Sequence, residues 1–447
     1  MKNILIAIRS IFKKGRHNVM KIVSLGIGLA VGLVLIAKVY FEQSYDDFYP
    51  DRDRVYQVWA KYQQNGGELK DYPQTSGGIA PTMQQQIPEI ETVTRYTSFG
   101  DWTFTMTDTK MKYSGRCIIA DSCFFDILPR PMLIGNAKEV LSTPMYVLIS
   151  SRIAKNIGGD VIGKNFTVDN SPGRTMTIGG VFEEVPENSH SRYDVIVSMA
   201  SAGRFMWEGS PTNMLGNDRY ISYVKLHKGV NPLALEEQVR TFVNSYFPPE
   251  EQQKVGLSID FSFHKLDNLH KELPQVKRMT WILSLLAFAL IFTAVMNYIL
   301  IVISSIVNRS KEVAVHKCYG ASENNIHGMM FGEALVHIVL SLILALLLIL
   351  AFRGTVEELL ATSLDSLLLS NGSLVLLGIC ILVFFVSGFM PGSLYARIPV
   401  ASAFRNYREN KRIWKKALLL VQFVATGFLV TMLVFVARQY TFMVNDR

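Results

Sequence analysis

Hydropathy divides the chain into two kinds of text. Apolar runs of about 20 residues, enough to cross a hydrocarbon core roughly 30 Å thick, stand at Ile22–Tyr40, Trp281–Val307, Met330–Phe352, Leu374–Met390 and Ala417–Ala437. They predict five membrane crossings. Between the first two, from Phe41 to Lys277, the pattern changes to short alternating stretches. RVYQVWAKY, TMTIGGVF, DVIVSM, RYISYVKL and SIDFSFHKL read as strands with one face buried. NPLALEEQVRTFVNSYF, from Asn231, predicts an amphipathic helix with Leu233, Leu235, Val239, Phe242, Val243 and Tyr246 mostly on one face. Strand, helix, strand from Arg219 to Leu266 is a βαβ-like unit, and a similar order runs from Arg54 through Ile79–Gln86 to Val93–Tyr96. The expected fold is a multi-pass α-helical membrane protein with a large α+β extracytoplasmic domain of two lobes.

Charge sets the orientation. Lys2, Arg9, Lys13, Lys14, Arg16 and Lys21 precede the first span, and Arg397, Arg405, Arg408, Lys411, Arg412, Lys415 and Lys416 follow the fourth. Basic flanks stay in the cytoplasm. The connection around Gly354–Asn371 carries Glu357, Glu358 and Asp365 beside Arg353 and is placed outside. The net charge of +8 is therefore mainly a topology signal, since the basic residues border spans rather than forming a basic face interleaved with aromatics. Nucleic acid is not an expected partner; the lipid bilayer is. The first span follows a basic segment as a signal peptide does, but its apolar part is too long and no small-residue cleavage site follows, so a retained anchor is expected. The first and last spans share a basic lead, one long apolar run and an aromatic exit, the pattern either of an internal repeat or of any inside-to-outside anchor.

Candidate chemistry is sparse. GGDVIGKN, Gly158–Asn165, has glycine spacing and a lysine like a phosphate-binding loop, but Asn165 stands where a Ser or Thr would hold Mg²⁺, and a turn is expected. His190, His227, His264 and His270 lack metal-ligand spacing. No catalytic residue, metal or cofactor is assigned. Cys117 and Cys123 lie outside, too far apart along an extended strand to pair readily. Within the spans, Lys38 is close enough to a helix end to snorkel. Glu333 and His337, four residues apart, share a helical face near the cytoplasmic entrance; they read either as a proton relay or as partners of a nearby Arg or Lys.

The most informative stretch is SIVNRSKEVAVHKCYGASENNIHGMMFGEAL, a charged turn between two apolar spans. Arg309–Tyr319 predicts a short helix with Ala314, Val315, Cys318 and Tyr319 on one side and Arg309, Glu312, His316 and Lys317 on the other, Lys311 interrupting the apolar side. Gly320 suits the helix stop and Ser322 can cap the next helix. A stiff cytoplasmic hairpin continuous with two membrane helices is suited to carry force; an ordinary basic inner loop is the alternative.

This stretch resembles the MacB-like and FtsX-like permeases of ABC systems. SKEVAVHKCYGAS followed by FGEAL is similar to the family signature at Arg309, Glu312, Lys317, Gly320, Ala321, Ser322 and Glu333, with His316 in place of the usual arginine and Cys318-Tyr319 in place of smaller residues. SYDDFYPDRDRVYQV, CFFDILPRPMLIGN and GGVFEEVPENSHSRYDVIVSM resemble the family's MacB-type periplasmic core domain. The resemblance implies a non-catalytic subunit of an efflux or envelope-remodelling system in a bacterial inner membrane. A separate cytoplasmic ABC ATPase would meet Arg309, Glu312, His316, Lys317, Gly320, Ala321 and Ser322. It also implies a dimeric or pseudo-dimeric permease assembly, with a periplasmic adaptor or another envelope protein as further partner. The alternative is a non-transporting sensor or scaffold that regulates envelope enzymes. The implied organisation is a cytoplasmic segment 1–21, a first span 22–41, the extracytoplasmic domain 42–277 and an FtsX-like membrane domain 278–396 with hairpin 308–328. A basic linker 397–416, a fifth span 417–438 and the start of a second extracytoplasmic segment, 439–447, follow.

Overall fold

The computed structural model describes residues 17–169, 171–216, 218–368, 372–396 and 413–445. Most of the expected cytoplasmic segment 1–21, the linker residues 397–412, the last two residues and the side chain of Arg309 lie outside the described residues. In chain order the elements are α1 (Asn18–Gln43), β1 (Val55–Gln64), β2 (Lys70–Tyr72), α2 (Ile79–Gln86), β3 (Ile90–Met106), β4 (Lys112–Ala120), β5 (Met132–Ile134), β6 (Tyr146–Ser150), β7 (Asn165–Val168), β8 (Ser171–Phe182), β9 (Val195–Ser198) and β10 (Ile221–Leu226). There follow α3 (Glu236–Tyr246), β11 (Leu257–Lys265), α4 (Pro274–Ser304), α5 (Ile306–Cys318), α6 (Glu323–Ala351), α7 (Arg353–Leu360), α8 (Ser373–Ala396) and α9 (Ile413–Asn445), with helices of one or two turns between. Two compact units result: a membrane unit, from the chain up to Gln43 and from Pro274 onward, and the domain Ser44–Leu273.

In the membrane unit, α1, α4, α6 and α8 are each long and apolar enough to cross a bilayer. The expected fifth span falls in the 33-residue α9, whose apolar stretch among the described residues is Leu419–Phe428. Lipid tails are as apolar as leucine, so helix association depends on close packing rather than on water release. Small residues supply it: a Cβ on Gly28 would fall onto the Cβ of Ala294, and one on Gly32 onto Ile291. The Gly28-x-x-x-Gly32 face of α1 therefore lies directly against α4. On another side of α1, a Cβ on Gly26 would stand 2.9 Å from Leu344 of α6. Leu25, Leu29, Tyr298, Ile299, Ile303, Val313, Ile326 and Ile338 fill the core between these helices.

The other unit is built on one eleven-stranded sheet in the order β11-β1-β10-β3-β4-β9-β6-β8-β5, with β2 beside β1 and β7 bridging β3 and β8. Both expected βαβ units are present, but interleaved. β10 pairs antiparallel with β1 and with β3, and β11 pairs antiparallel with β1. The strands of β1-α2-β3 are thus parallel with β10 between them, and those of β10-α3-β11 are parallel with β1 between them, a split βαβ arrangement. Both helices bury their apolar sides in one cluster, Ile79, Ala80 and Met83 from α2 with Val239, Phe242 and Val243 from α3. Leu235 joins them, whereas Leu233, expected on that face, is 70% exposed because Pro232–Leu235 is a 3-10 turn that alters the period before α3 begins.

The two expected lobes share this sheet. β3 is 17 residues long; its first half pairs with β10, and beyond an irregularity between Ser98 and Asp101 its second half pairs with β4 and β7. That second half opens a separate core around Trp102, Phe104, Phe166, Ile149 and Val197. Gly158–Asn165 follows a helix C-terminus as a turn, with Gly158 at φ +74, so it offers no helix N-terminus to a phosphate. Cys117 and Cys123 are free thiols; the Cys123 Sγ lies 3.1 Å from the Val93 carbonyl oxygen.

Candidate functional site

The charged turn is α5, the hairpin and the first turn of α6. α4 ends at Ser304, and a single non-helical residue, Ser305, separates it from α5. The Ser305 Oγ donates to the Val302 carbonyl at 2.6 Å, a second donor to an acceptor that also takes the Ser305 N–H where the two helices meet. α5 closes with a double hydrogen bond: Ala321 N–H donates to His316 O and Gly320 N–H to Lys317 O, each at 3.0 Å. This is the Schellman pattern, which needs a residue at positive φ, and Gly320 supplies φ +85. The Ser322 Oγ then accepts from Asn325 N–H at 3.3 Å and caps α6. The hairpin is therefore fixed by local backbone chemistry at both of its ends.

The buried face of α5 differs from the expected one. Ser310, Val313 and Ala314 are buried, whereas Val315 and Cys318 are exposed and Tyr319 is 89% exposed. A polar residue at 310 hid the inward stripe from a reading by hydropathy. The outward face combines Lys311, Val315, His316, Cys318 and Tyr319, while Glu312 and Lys317 are half-buried along its margins. Apolar and charged atoms thus stand together in the open on a rigid element.

Glu333 and His337 form a second, separate cluster inside the membrane unit. Both are buried, one turn apart on α6. The Lys21 Nζ lies 3.6 Å from Glu333 Oε1 and donates to Asn18 Oδ1 at 3.2 Å. His337 Nδ1 is 3.1 Å from the Tyr298 hydroxyl of α4, and the Ser341 Oγ donates to the Ile22 carbonyl at 3.1 Å. Glu333 thus stands beside a lysine of another helix. That lysine was not foreseen, because α1 begins at Asn18 and carries Lys21 into the bundle instead of leaving it as a cytoplasmic flank. Lys38 also departs from expectation: it does not snorkel but is buried, 2.7 Å from Glu42 Oε1 and donating to Thr362 Oγ1 at 2.8 Å.

A third polar cluster lies in the extracytoplasmic domain. His190 Nδ1 is 2.7 Å from Asp46 Oδ2, and its Nε2 contacts the hydroxyls of Tyr223 and, at 3.0 Å, Ser191. The Asp-His-Ser sequence of contacts has the form of a nucleophile's support, but the Ser191 hydroxyl is buried and held by Tyr96 OH at 2.6 Å. Burial pushes the Tyr96 hydroxyl up to about 12 and Tyr223 well above its usual range, so both are neutral hydrogen-bonding groups. The cluster is a buried network in which the Ser191 hydroxyl is already held by its neighbours. Among the described residues, no group of three or more His, Cys, Asp or Glu side chains could hold a metal ion.

Helices long and apolar enough to cross a bilayer, together with a large α+β domain, make this a multi-pass membrane protein with an extracytoplasmic domain. Residues 284–400, which include the hairpin and the Glu333–His337 cluster, match the family model described as FtsX-like permease C-terminal. Among solved structures the chain is similar to a domain described as that of a permease protein from Porphyromonas gingivalis, with 33% identity, 48% of this chain and 91% of that one covered, and a TM-score of 0.45. It is also similar to the periplasmic region of MacB from Actinobacillus actinomycetemcomitans, with 15% identity, 46% and 87% covered, and a TM-score of 0.31. No curated protein matches the chain. On the family match, residues 284–400 form an FtsX-like permease domain, and the chain is an ABC-type permease component.

Proposed function

We propose that the chain is the transmembrane subunit of an ABC efflux or envelope-remodelling system in a bacterial inner membrane, with its N-terminus in the cytoplasm. A separate cytoplasmic ATPase docks on the α5 hairpin, and its ATP-driven motion passes to the extracytoplasmic domain. The observation that supports this reading is the hairpin itself: a helix locked at Gly320 and Ser322 that presents Lys311, Val315, His316, Cys318 and Tyr319 outward. Exposed aromatic and basic groups on a stiff element suit a protein contact better than an idle loop, because little conformational entropy remains to be lost on binding. α4 and α6 leave the hairpin as membrane helices, so a push on α5 enters the bilayer along two rods.

The test is recovery of the ATPase with the affinity-tagged chain from native membrane. Tyr319→Ala and Glu312→Arg should each lower the amount recovered without altering insertion, because one removes an exposed anchor and the other reverses a charge at the contact's margin. Parent-like recovery with both variants would make the hairpin an ordinary loop.

A further inference from the structure

Two short segments connect the extracytoplasmic domain to the membrane helices. Residues 44–54 run from the end of α1 to β1, and residues 266–273 run from β11 to α4. β1 and β11 are paired antiparallel with Tyr56 opposite Lys265, so both connectors leave the sheet at the same corner, side by side.

Contacts join them there at several points. The Tyr45 and His270 rings stack, centroids 3.4 Å apart and 7° from parallel. Lys271 Nζ bridges the two segments, 3.3 Å from Asp47 Oδ1 and 2.9 Å from Asp267 Oδ1, and Arg52 Nε reaches Asp267 at 3.4 Å. Each exposed ion pair is weak alone. The first connector is also anchored deeply. Asp46 is fully buried, its backbone at φ +60, and its carboxylate accepts from the backbone N–H of His190 at 3.3 Å and the Ser189 hydroxyl at 3.1 Å besides contacting the His190 ring. His190 in turn reaches Tyr223 on β10, the central strand of the split βαβ sheet. Asn188 Nδ2 donates to the Ser44 carbonyl at 2.6 Å, fixing the first residue of the connector.

We infer that the Tyr45–His270 stack, the Lys271 bridge and the buried Asp46–His190 anchor form a clamp that makes both connectors one mechanical element. Motion arriving along the two connectors then enters the domain as a single displacement at the β1–β11 corner instead of as shear between those strands. Asp46, His190 and Lys271 are positioning residues in this scheme. The inference rests on the transmission reading given above.

The test uses the full chain with its copurified ATPase in nanodiscs, the four native cysteines replaced by alanine, and spin labels on Lys228→Cys and Glu358→Cys. In the parent, trapping with ATP and vanadate should shift the distance between the labels. Tyr45→Leu with Lys271→Ala loosens the clamp at half-buried positions; it should keep ATPase recovery and hydrolysis but lose the distance shift. A second chain, labelled biosynthetically at 228 and 358 and carrying Tyr45→Cys with His270→Cys bridged by dibromobimane, should keep the shift, because a clamp that stays closed tolerates a covalent tie. The inference is overturned if the loosened chain retains the parent's shift, or if the bridged chain loses it, which would mean that the connectors slide past each other. A parent that shows no shift overturns the transmission reading, and the clamp's role with it.

Discussion

The backbone hand at Gly320 offers a graded perturbation of the hairpin. Its φ is +85, and nothing lies within 4 Å of where a Cβ would stand, so a side chain there meets strain rather than a clash. Holding an L-residue in the left-handed region costs roughly 1–2 kcal/mol, least for Asn, whose short side chain bonds locally, and most for β-branched Val. If the turn relaxes instead, the bonds from Gly320 and Ala321 to the Lys317 and His316 carbonyls are lost, at about 0.5–1.5 kcal/mol each. Gly320→Val therefore loses about 1–2 kcal/mol by whichever route is cheaper. Each 1.4 kcal/mol is about tenfold in the population of the native hairpin. With equal insertion verified by labelling, ATPase recovered with the tagged chain should fall in the order Gly, Asn, Ala, Val. Parent-like recovery with Val would refute the argument that the turn's hand aligns the contact. Equal loss with Asn and Val would show that the partner reads the side chain at 320 instead.

Further consequences concern packing, charge and pH. Gly28→Leu drives a side chain into Ala294 and should destabilise the membrane unit by about 1–3 kcal/mol, whereas Gly378→Leu, with open space around it, should be near neutral; thermal aggregation of the detergent-solubilised chain separates the two. Lys21→Met or Glu333→Met alone removes one member of a buried ion pair and should cost up to about 3–5 kcal/mol, while the double variant should cost less than the sum of the two; additive losses in the same assay would rule out the pair. Burial holds His264, stacked on Trp59, below the usual histidine range. Its folded value lies under its unfolded one, so the unfolded chain binds more protons across that window, and stability falls as pH drops below about 6.5. His264→Gln should flatten that part of the unfolding profile, and an unchanged slope would assign it to another group.

Local signals made much of this molecule legible. The strands Val55–Gln64 and Leu257–Lys265 announce themselves by alternation, and the hairpin by a glycine and a serine two residues apart, because turn and cap chemistry is written within a few residues. What stayed hidden is long-range. Nothing near β1 says that its neighbours are β10 and β11, so two βαβ units could be named but not interleaved. The inward stripe of α5 was misplaced because Ser310 is polar and buried while Tyr319 is aromatic and exposed. The Asp46–His190 anchor joins residues 144 positions apart, and the only local trace of it is a non-glycine residue forced to positive φ, which no sequence pattern displays.

Lys21 and Lys38 mark where rules of charge placement give way to partners. Each sits near an end of α1, where a long basic side chain ordinarily reaches water at little cost. Both are instead withdrawn from solvent, and an ammonium group moved out of water loses several kcal/mol unless a carboxylate stands by. Glu42 can be read from sequence as the partner of Lys38, one helical turn on, but Glu333 for Lys21 comes from another helix altogether. α1 is thereby pinned near both ends, by an ion pair to Glu333 of α6 and by a hydrogen bond from Lys38 to Thr362 beyond α7, with Gly28 and Gly32 seated against α4 between them. Rotating α1 about its own axis would break the Lys21–Glu333 ion pair and lift the glycine face, whereas moving it together with α6 keeps that pair. On the transmission reading, a push on the hairpin travels up α6 and carries α1 as a displacement without spin. A displacement of that kind is what a connector clamped at Asp46 can pass to the sheet.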